Sequence, residues 1–204
     1  MTSDPAPAVP RATDGTTNRP IDRVPGTRLR DCTESDLPAI QAIYAHHVLH
    51  GTASFELDPP DLREIARRHA EVRGHGLPYL VAEADGAVLG YAYANYFRAR
   101  PAYRFMLEDS IYISPDALGR GVGRALLPAL ADACQSVGCR QLLAVIGDSA
   151  NVASIGLHAA CGFRFSGVIR NSGWKFDRWL DTVFMQRALG EGDRSAPVRP
   201  PTSP

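Results

Sequence analysis

The run Leu118-Gly119-Arg120-Gly121-Val122-Gly123-Arg124 constrains this chain more than any other stretch. It separates an apolar, β-favouring segment, Leu107 to Ile113, from a segment, Gly121 to Val137, in which Val122, Leu126, Leu130, Ala133 and Val137 share one helical face. Strand, glycine-rich turn and amphipathic helix in that order can gather backbone N–H groups at the positive end of the helix dipole, an arrangement that holds phosphate. Glycine suits such a turn because the backbone must approach the oxygens closely and adopt positive φ. The same run also suits a plain tight turn ahead of a helix. Two familiar phosphate loops are excluded. A P-loop needs Lys followed by Ser or Thr where Arg124-Ala125 stands. A dinucleotide-binding turn belongs after the first strand with an acid about 20 residues on, whereas this one follows roughly the fourth.

The rest of the chain reads as alternating α and β segments without an internal repeat. Thr27 to Cys32 is a short strand, and Thr33-Glu34-Ser35-Asp36 resembles a capping box opening a helix with Leu37, Ile40, Ile43, Tyr44 and Val48 at helical spacing. A second helix is expected from Asp61 to about Val72. Tyr79 to Ala84 and Val88 to Tyr96 are strand-like, and the Asp85-Gly86 step between them signals a hairpin, so the sheet begins antiparallel. Gln141 to Ile146 is an apolar strand, Asn151 to Ala160 a helix, and Phe163 to Ile169 and Lys175 to Arg187 two closing strands. Prolines among small and polar residues mark 1–26 and 190–204 as disordered tails around one domain at 27–189.

Charge and cysteine content narrow the function. The 22 basic and 22 acidic residues cancel, so no global field favours a nucleic-acid backbone or an anionic membrane. No apolar run reaches the roughly 20 residues of a membrane span, and the first 25 residues lack a signal-peptide core, which makes the cytoplasm the default location. Cys32, Cys134, Cys139 and Cys161 form no C-x-x-C pair and adjoin no histidine run, so they read as free thiols and no metal is expected. Lys175 is the only lysine. With the positive charge otherwise carried by arginine, any single Arg is weaker evidence for an anion site.

Several motifs in order resemble the GNAT superfamily of acetyl-CoA-dependent N-acetyltransferases. Leu118 to Gly123 matches its signature turn, Gln or Arg, two residues, Gly, one residue, Gly or Ala, with Leu118 in place of the usual polar first residue. Asn151 to Phe163 is similar to its Asn…Leu-Tyr…Gly-Phe segment, with His158 at the tyrosine position. That histidine, with Thr52-Ala53-Ser54-Phe55, Glu108-Asp109-Ser110-Ile111-Tyr112-Ile113 and Ala144-Val145-Ile146-Gly147, resembles the phosphinothricin and methionine sulfone or sulfoximine acetyltransferases. The resemblance implies an α/β GNAT-type domain, with a mixed, mostly antiparallel sheet of about seven strands flanked by helices. It implies acetyl-CoA as co-substrate, direct transfer to a small amino-acid-like acceptor in a ternary complex, and pairing of two subunits as a homodimer. The apolar, Trp-containing C-terminal strands offer a seam for that pairing, and Trp174 and Trp179 pack either the last strands or the seam.

The resemblance also assigns residues. Glu108 matches the family's acid and is the expected base, because an ammonium must lose a proton before it attacks a thioester. Adjacent Glu108 and Asp109 point to opposite faces of an unbulged strand, so only one is expected to reach the cleft. His158 is the expected donor to the departing thiolate or a partner of the acceptor. Ile111, Tyr112, Ile113, Gly119, Arg120, Gly121, Val122, Gly123, Arg124 and Asn151 fall at cofactor-binding positions, Asn151 doubling as a helix cap. Phe55, Arg98, Arg100, Asp109 and Ser110 fall at acceptor-binding positions, the arginines suited to a carboxylate or phosphinate. The same fold acting on another amine or a protein N-terminus, and a non-catalytic acyl-CoA sensor, are the rival readings.

Overall fold

The computed structural model describes residues 26–197. In chain order they form β1 (Arg28–Asp31), α1 (Leu37–His50), α2 (Leu62–Gly74), β2 (Tyr79–Ala84), β3 (Ala87–Tyr96) and β4 (Met106–Ile113). After the glycine-rich turn come α3 (Val122–Ser136), β5 (Gln141–Gly147), α4 (Val152–Ala160), β6 (Arg164–Lys175) and β7 (Arg178–Ala188). The seven strands make one sheet in the order β1-β2-β3-β4-β5-β7-β6. Only β4 and β5 pair in parallel; the other neighbours are antiparallel. This is the mixed, mostly antiparallel sheet that the sequence implied.

Local chemistry explains the element ends. The Thr33 amide donates to Asp36 Oδ2 at 2.8 Å, closing the turn that leads into α1, whose Leu37, Ile40, Ile43, Tyr44 and Val48 are the buried face. Asp85 and Gly86 take φ of 51° and 77° between β2 and β3, the left-handed pair that a tight hairpin requires. In α3 the deepest residues are Val122, Leu126, Leu127, Leu130, Ala131 and Cys134, so the buried stripe is wider than the expected one and leaves Ala133 and Val137 at its edge. Leu126, Leu127 and Leu130 are fully buried, and truncating any of them to Ala would cost about 2–5 kcal/mol.

The first closing strand runs longer than the sequence suggested, and the second begins later, at Arg178. β6 continues to Lys175, and the reversal falls at Phe176-Asp177, both with positive φ. A turn without glycine carries no signal that local reading would find. Trp174 and Trp179 face each other across this hairpin with ring centroids 5.3 Å apart, and both are exposed. Of the two expected tails, 1–25 and 198–204 lie outside the described residues. Residues 190–197 are tied to the domain: Arg140 donates to Gly192 O at 2.9 Å and to Ser195 O at 3.1 Å.

The feature that positions the site is a break in the sheet. β4 and β5 pair only through Met106–Asp109 and Gln141–Ala144. Beyond that β4 stays on β3 as far as Ile113↔Gly90, and β5 stays on β7 as far as Gly147↔Thr182, so the two parallel strands diverge. Side chains of β4 alternate: Asp109 meets α4 through His158, whereas Tyr112 packs on Tyr44 of α1. Helices α1 and α2 therefore cover one face, and α3 with α4 the other.

Candidate active site

Two chambers with lining residues in common occupy the wedge. The larger, about 700 Å³, is lined by Ile111, Tyr112 and Ile113 of β4, by Gly119, Gly121, Val122, Gly123 and Arg124, and by Asn151, Ser154 and Leu157 of α4. The smaller, about 190 Å³, is lined by Glu108, Asp109 and Ser110, by Ala144 to Gly147, and by Ser54 and His158. Ala53, Ile111, Tyr112, Asn151 and Ser154 belong to both walls. An extended thioester arm in the first and an amine in the second would meet along these shared residues.

The glycine turn is built as an anion cradle. Gly119 and Gly121 have φ of 72° and 78°, conformations that a Cβ would strain. Gly121 caps α3, and the first helical bond runs from the Ala125 amide to Gly121 O at 3.1 Å, which leaves the amides of Val122, Gly123 and Arg124 at the open end of the helix. Gly123 has a further reason to be glycine, one that local reading does not show. A Cβ there would stand 2.9 Å from Leu157 Cδ2, so its absence lets α3 and α4 pack closely. These groups fit a pyrophosphate.

Alternation along the strand led to the expectation that only one of Glu108 and Asp109 reaches the cleft; both residues line the smaller chamber, with the Asp109 side chain 1% exposed. Burial raises the pKa of Glu108, the Asp109 charge adds to this, and Arg98 opposes it. Asp109 is buried, and its Oδ2 lies 3.0 Å from His158 Nε2. The other ring nitrogen, Nδ1, lies 2.8 Å from Ser154 O, a group that only accepts, so Nδ1 carries a proton. Burial pulls the His158 pKa down, but the hydrogen bond and charge of Asp109 outweigh it and the net shift is upward. Both nitrogens are thus engaged within the protein. Asp109 Oδ1 is buried and makes no hydrogen bond.

Asn151 caps α4, its side-chain oxygen accepting from the Ser154 amide at 3.2 Å. Not every expected residue joins the walls. Phe55 lines neither chamber; its ring lies against Gly147 and Gly173, where a Cβ would approach it to 2.9 and 2.5 Å. Arg98 and Arg100 sit on the exposed loop before β4, Arg98 stacked 4.8 Å above the Phe97 ring, and line neither chamber. Arg120 is exposed and reaches back to Asp116 O.

Several wall residues were missed, among them His47, Asp148 and Arg178. His47 Nε2 donates to Ile113 O at 2.8 Å and is pulled down in pKa by burial. Asp148 pairs with Arg178 at 2.5 Å beside the larger chamber. Each partnership joins residues remote in sequence, and no motif marked them.

Comparison with known proteins gives this geometry its context. The acetyltransferase (GNAT) family model matches residues 40–163. The phosphinothricin N-acetyltransferase of Alcaligenes faecalis is 60% identical over 169 residues, covering 83% of this chain and 86% of that protein. The L-methionine sulfoximine/L-methionine sulfone acetyltransferase of Pseudomonas aeruginosa is 43% identical over 173 residues, covering 83% and 98%. Among solved structures, a phosphinothricin acetyltransferase from Sinorhizobium meliloti in complex with acetyl-CoA superposes with a TM-score of 0.82 at 49% identity, covering 85% and 94%. The turn, the wedge and these likenesses converge: the chain is an acyltransferase, a member of the acetyltransferase (GNAT) family.

Proposed function

We propose that this enzyme transfers acetyl from acetyl-CoA to the amino group of a small amino-acid-like acceptor of the phosphinothricin or methionine sulfoximine type, with both substrates bound at once. The carrying observation is the pair of chambers that share a wall at the β4–β5 divergence, with Glu108 in the smaller one. At 190 Å³ the smaller chamber is below the ~300–1,000 Å³ usual for drug-sized ligands, which favours a single amino acid over a protein N-terminus. The names of the relatives point to the same acceptor class.

Acetyl-CoA supplies the activated acetyl group. The amides at the start of α3 hold its pyrophosphate, and β4 runs beside the larger chamber toward the acceptor. An acceptor arriving as an ammonium must lose a proton, and Glu108, made more basic by burial, takes it directly or through one water. His158 was expected to donate to the leaving thiolate. With both nitrogens committed to Asp109 and Ser154, it is better read as the residue that holds Asp109 in the chamber wall.

Glu108→Gln tests this reading. The amide keeps the shape but accepts no proton, so thiol release with phosphinothricin should fall by about 10²–10⁴-fold, with acetyl-CoA affinity within about threefold of wild type. Raising the pH should restore part of the rate, because more acceptor then arrives neutral. Wild-type turnover in this variant at neutral pH removes Glu108 from the mechanism. A wild-type protein that binds acetyl-CoA yet releases no thiol with any amino acid is a sensor.

A further inference from the structure

The only lysine of the chain occupies an unexpected place. Lys175 ends β6 with 4% of its surface exposed, and among the described residues no carboxylate lies within ion-pair distance of it. Its ammonium donates to Gly51 O at 3.0 Å and Ser54 O at 2.7 Å, and stands 5.1 Å from the centroid of the Phe176 ring. Burying a charge without a contacting counter-charge is unfavourable, and desolvation pulls the pKa of this amine down against the opposing pull of the Glu56 charge. Methionine would fill similar space without that penalty. The charge therefore serves the two carbonyls.

Those carbonyls belong to the segment that follows α1, which roofs the wedge. Gly51 and Thr52 line the larger chamber, Ser54 the smaller, and Ala53 both. Side chains already anchor this segment on the α1 side: Tyr44 Oη and Ser54 Oγ are 2.9 Å apart, and the Glu56 amide donates to Ser54 Oγ at 3.2 Å. Lys175 grips the backbone from the opposite side, across more than a hundred residues of chain. Both chambers have other walls, β4, the glycine turn and α4 for the larger and β4, β5 and α4 for the smaller. The shorter of the two Lys175 hydrogen bonds holds the Ser54 carbonyl, and Ser54 lines the smaller chamber but not the larger.

We propose that Lys175 is a positioning residue for the acceptor, its ammonium fixing the Gly51–Ser54 backbone over the smaller chamber. This rests on the assignment of that chamber to the acceptor. A roof held by hydrogen bonds to carbonyls can be loosened without touching Glu108 or the glycine cradle. Its loss should fall on acceptor binding.

Lys175→Met keeps length and burial and removes the donors. With phosphinothricin, KM for the acceptor should rise by about tenfold or more, while kcat and the Kd of acetyl-CoA stay within about threefold. An unmoved acceptor KM, or equal weakening of acceptor and acetyl-CoA, overturns the proposal. Wild-type protein that releases no thiol with phosphinothricin overturns the acceptor assignment and this proposal with it. Wild-type turnover alongside an unmoved KM in the variant overturns this proposal alone.

A second measurement uses the intact enzyme, should the variant not fold. With one lysine in the chain, trinitrobenzenesulfonate labelling read on the peptide containing Lys175 reports how often the roof opens. Phosphinothricin with CoA should slow labelling by about tenfold relative to CoA alone. Equal rates overturn the proposal.

Discussion

The buried pair of His158 and Asp109 allows a stability prediction with a worked magnitude. Side-chain exposures of 2% and 1% put both groups in the interior, where solvent screening does not dilute their interaction. His158→Leu leaves the Asp109 carboxylate with no partner at either oxygen, since Oδ1 already has none. Stranding a buried charge in this way costs about 3–5 kcal/mol. At roughly 2–4 °C per kcal/mol for a domain of this size, the midpoint should fall by about 6–20 °C. Replacing both residues removes the stranded charge, so Asp109→Leu/His158→Leu should melt closer to wild type than the single variant does. The folded pKa of His158 is raised by Asp109 against burial, so the pair stabilises fully below the unfolded value near 6.5 and loses that contribution as pH rises through the folded value. Measured against the double variant, which titrates at neither position, wild type should therefore lose stability as the pH rises above about 6.5. Melts followed by circular dichroism suffice. A single variant within about 2 °C of wild type would refute the stranded-charge argument.

Two further substitutions separate packing from chemistry. Gly123→Ala should weaken acetyl-CoA binding and cost about 1–3 kcal/mol, since its Cβ displaces Leu157 of the larger chamber; Leu157→Ala added to it should recover binding in calorimetry. Arg98→Ala should move the acid limb of the kcat/KM profile to higher pH, because the Arg98 charge holds the Glu108 pKa down. Arg100→Ala should leave the limb in place, and identical profiles for the two variants would remove Arg98 from Glu108's surroundings.

What the sequence discloses is what single segments decide. The Asp85-Gly86 hairpin, the buried face of α1 and the glycine cradle each follow from residues within one turn or one helix, and each stands where local chemistry puts it. The His158–Asp109 pair joins positions 49 apart, and the Lys175 contacts join positions 121 and 124 apart, so no window of sequence contains them. The alternation rule for Glu108 and Asp109 is correct as geometry, since the two side chains do leave β4 on opposite faces. Alternation alone does not tell that both residues border the chamber where β4 and β5 part.

That divergence is also the strongest physical reason to expect a ligand here. Where β4 and β5 part, the inner edges of Ser110–Ile113 and Val145–Gly147 no longer answer each other, although each strand keeps its outer neighbour. Backbone groups inside a protein need partners. His47 takes one of them, the Ile113 carbonyl, from the α1 side. For the rest, an extended chain of amides entering the wedge adds hydrogen bonds that the sheet itself does not make, rather than competing with bonds already present. Among the described residues, the wedge combines strand-like backbone donors with the glycine turn at one end and the half-buried Glu108 at the other. A thioester with a long amide-bearing arm and a pyrophosphate matches that sequence of features in order.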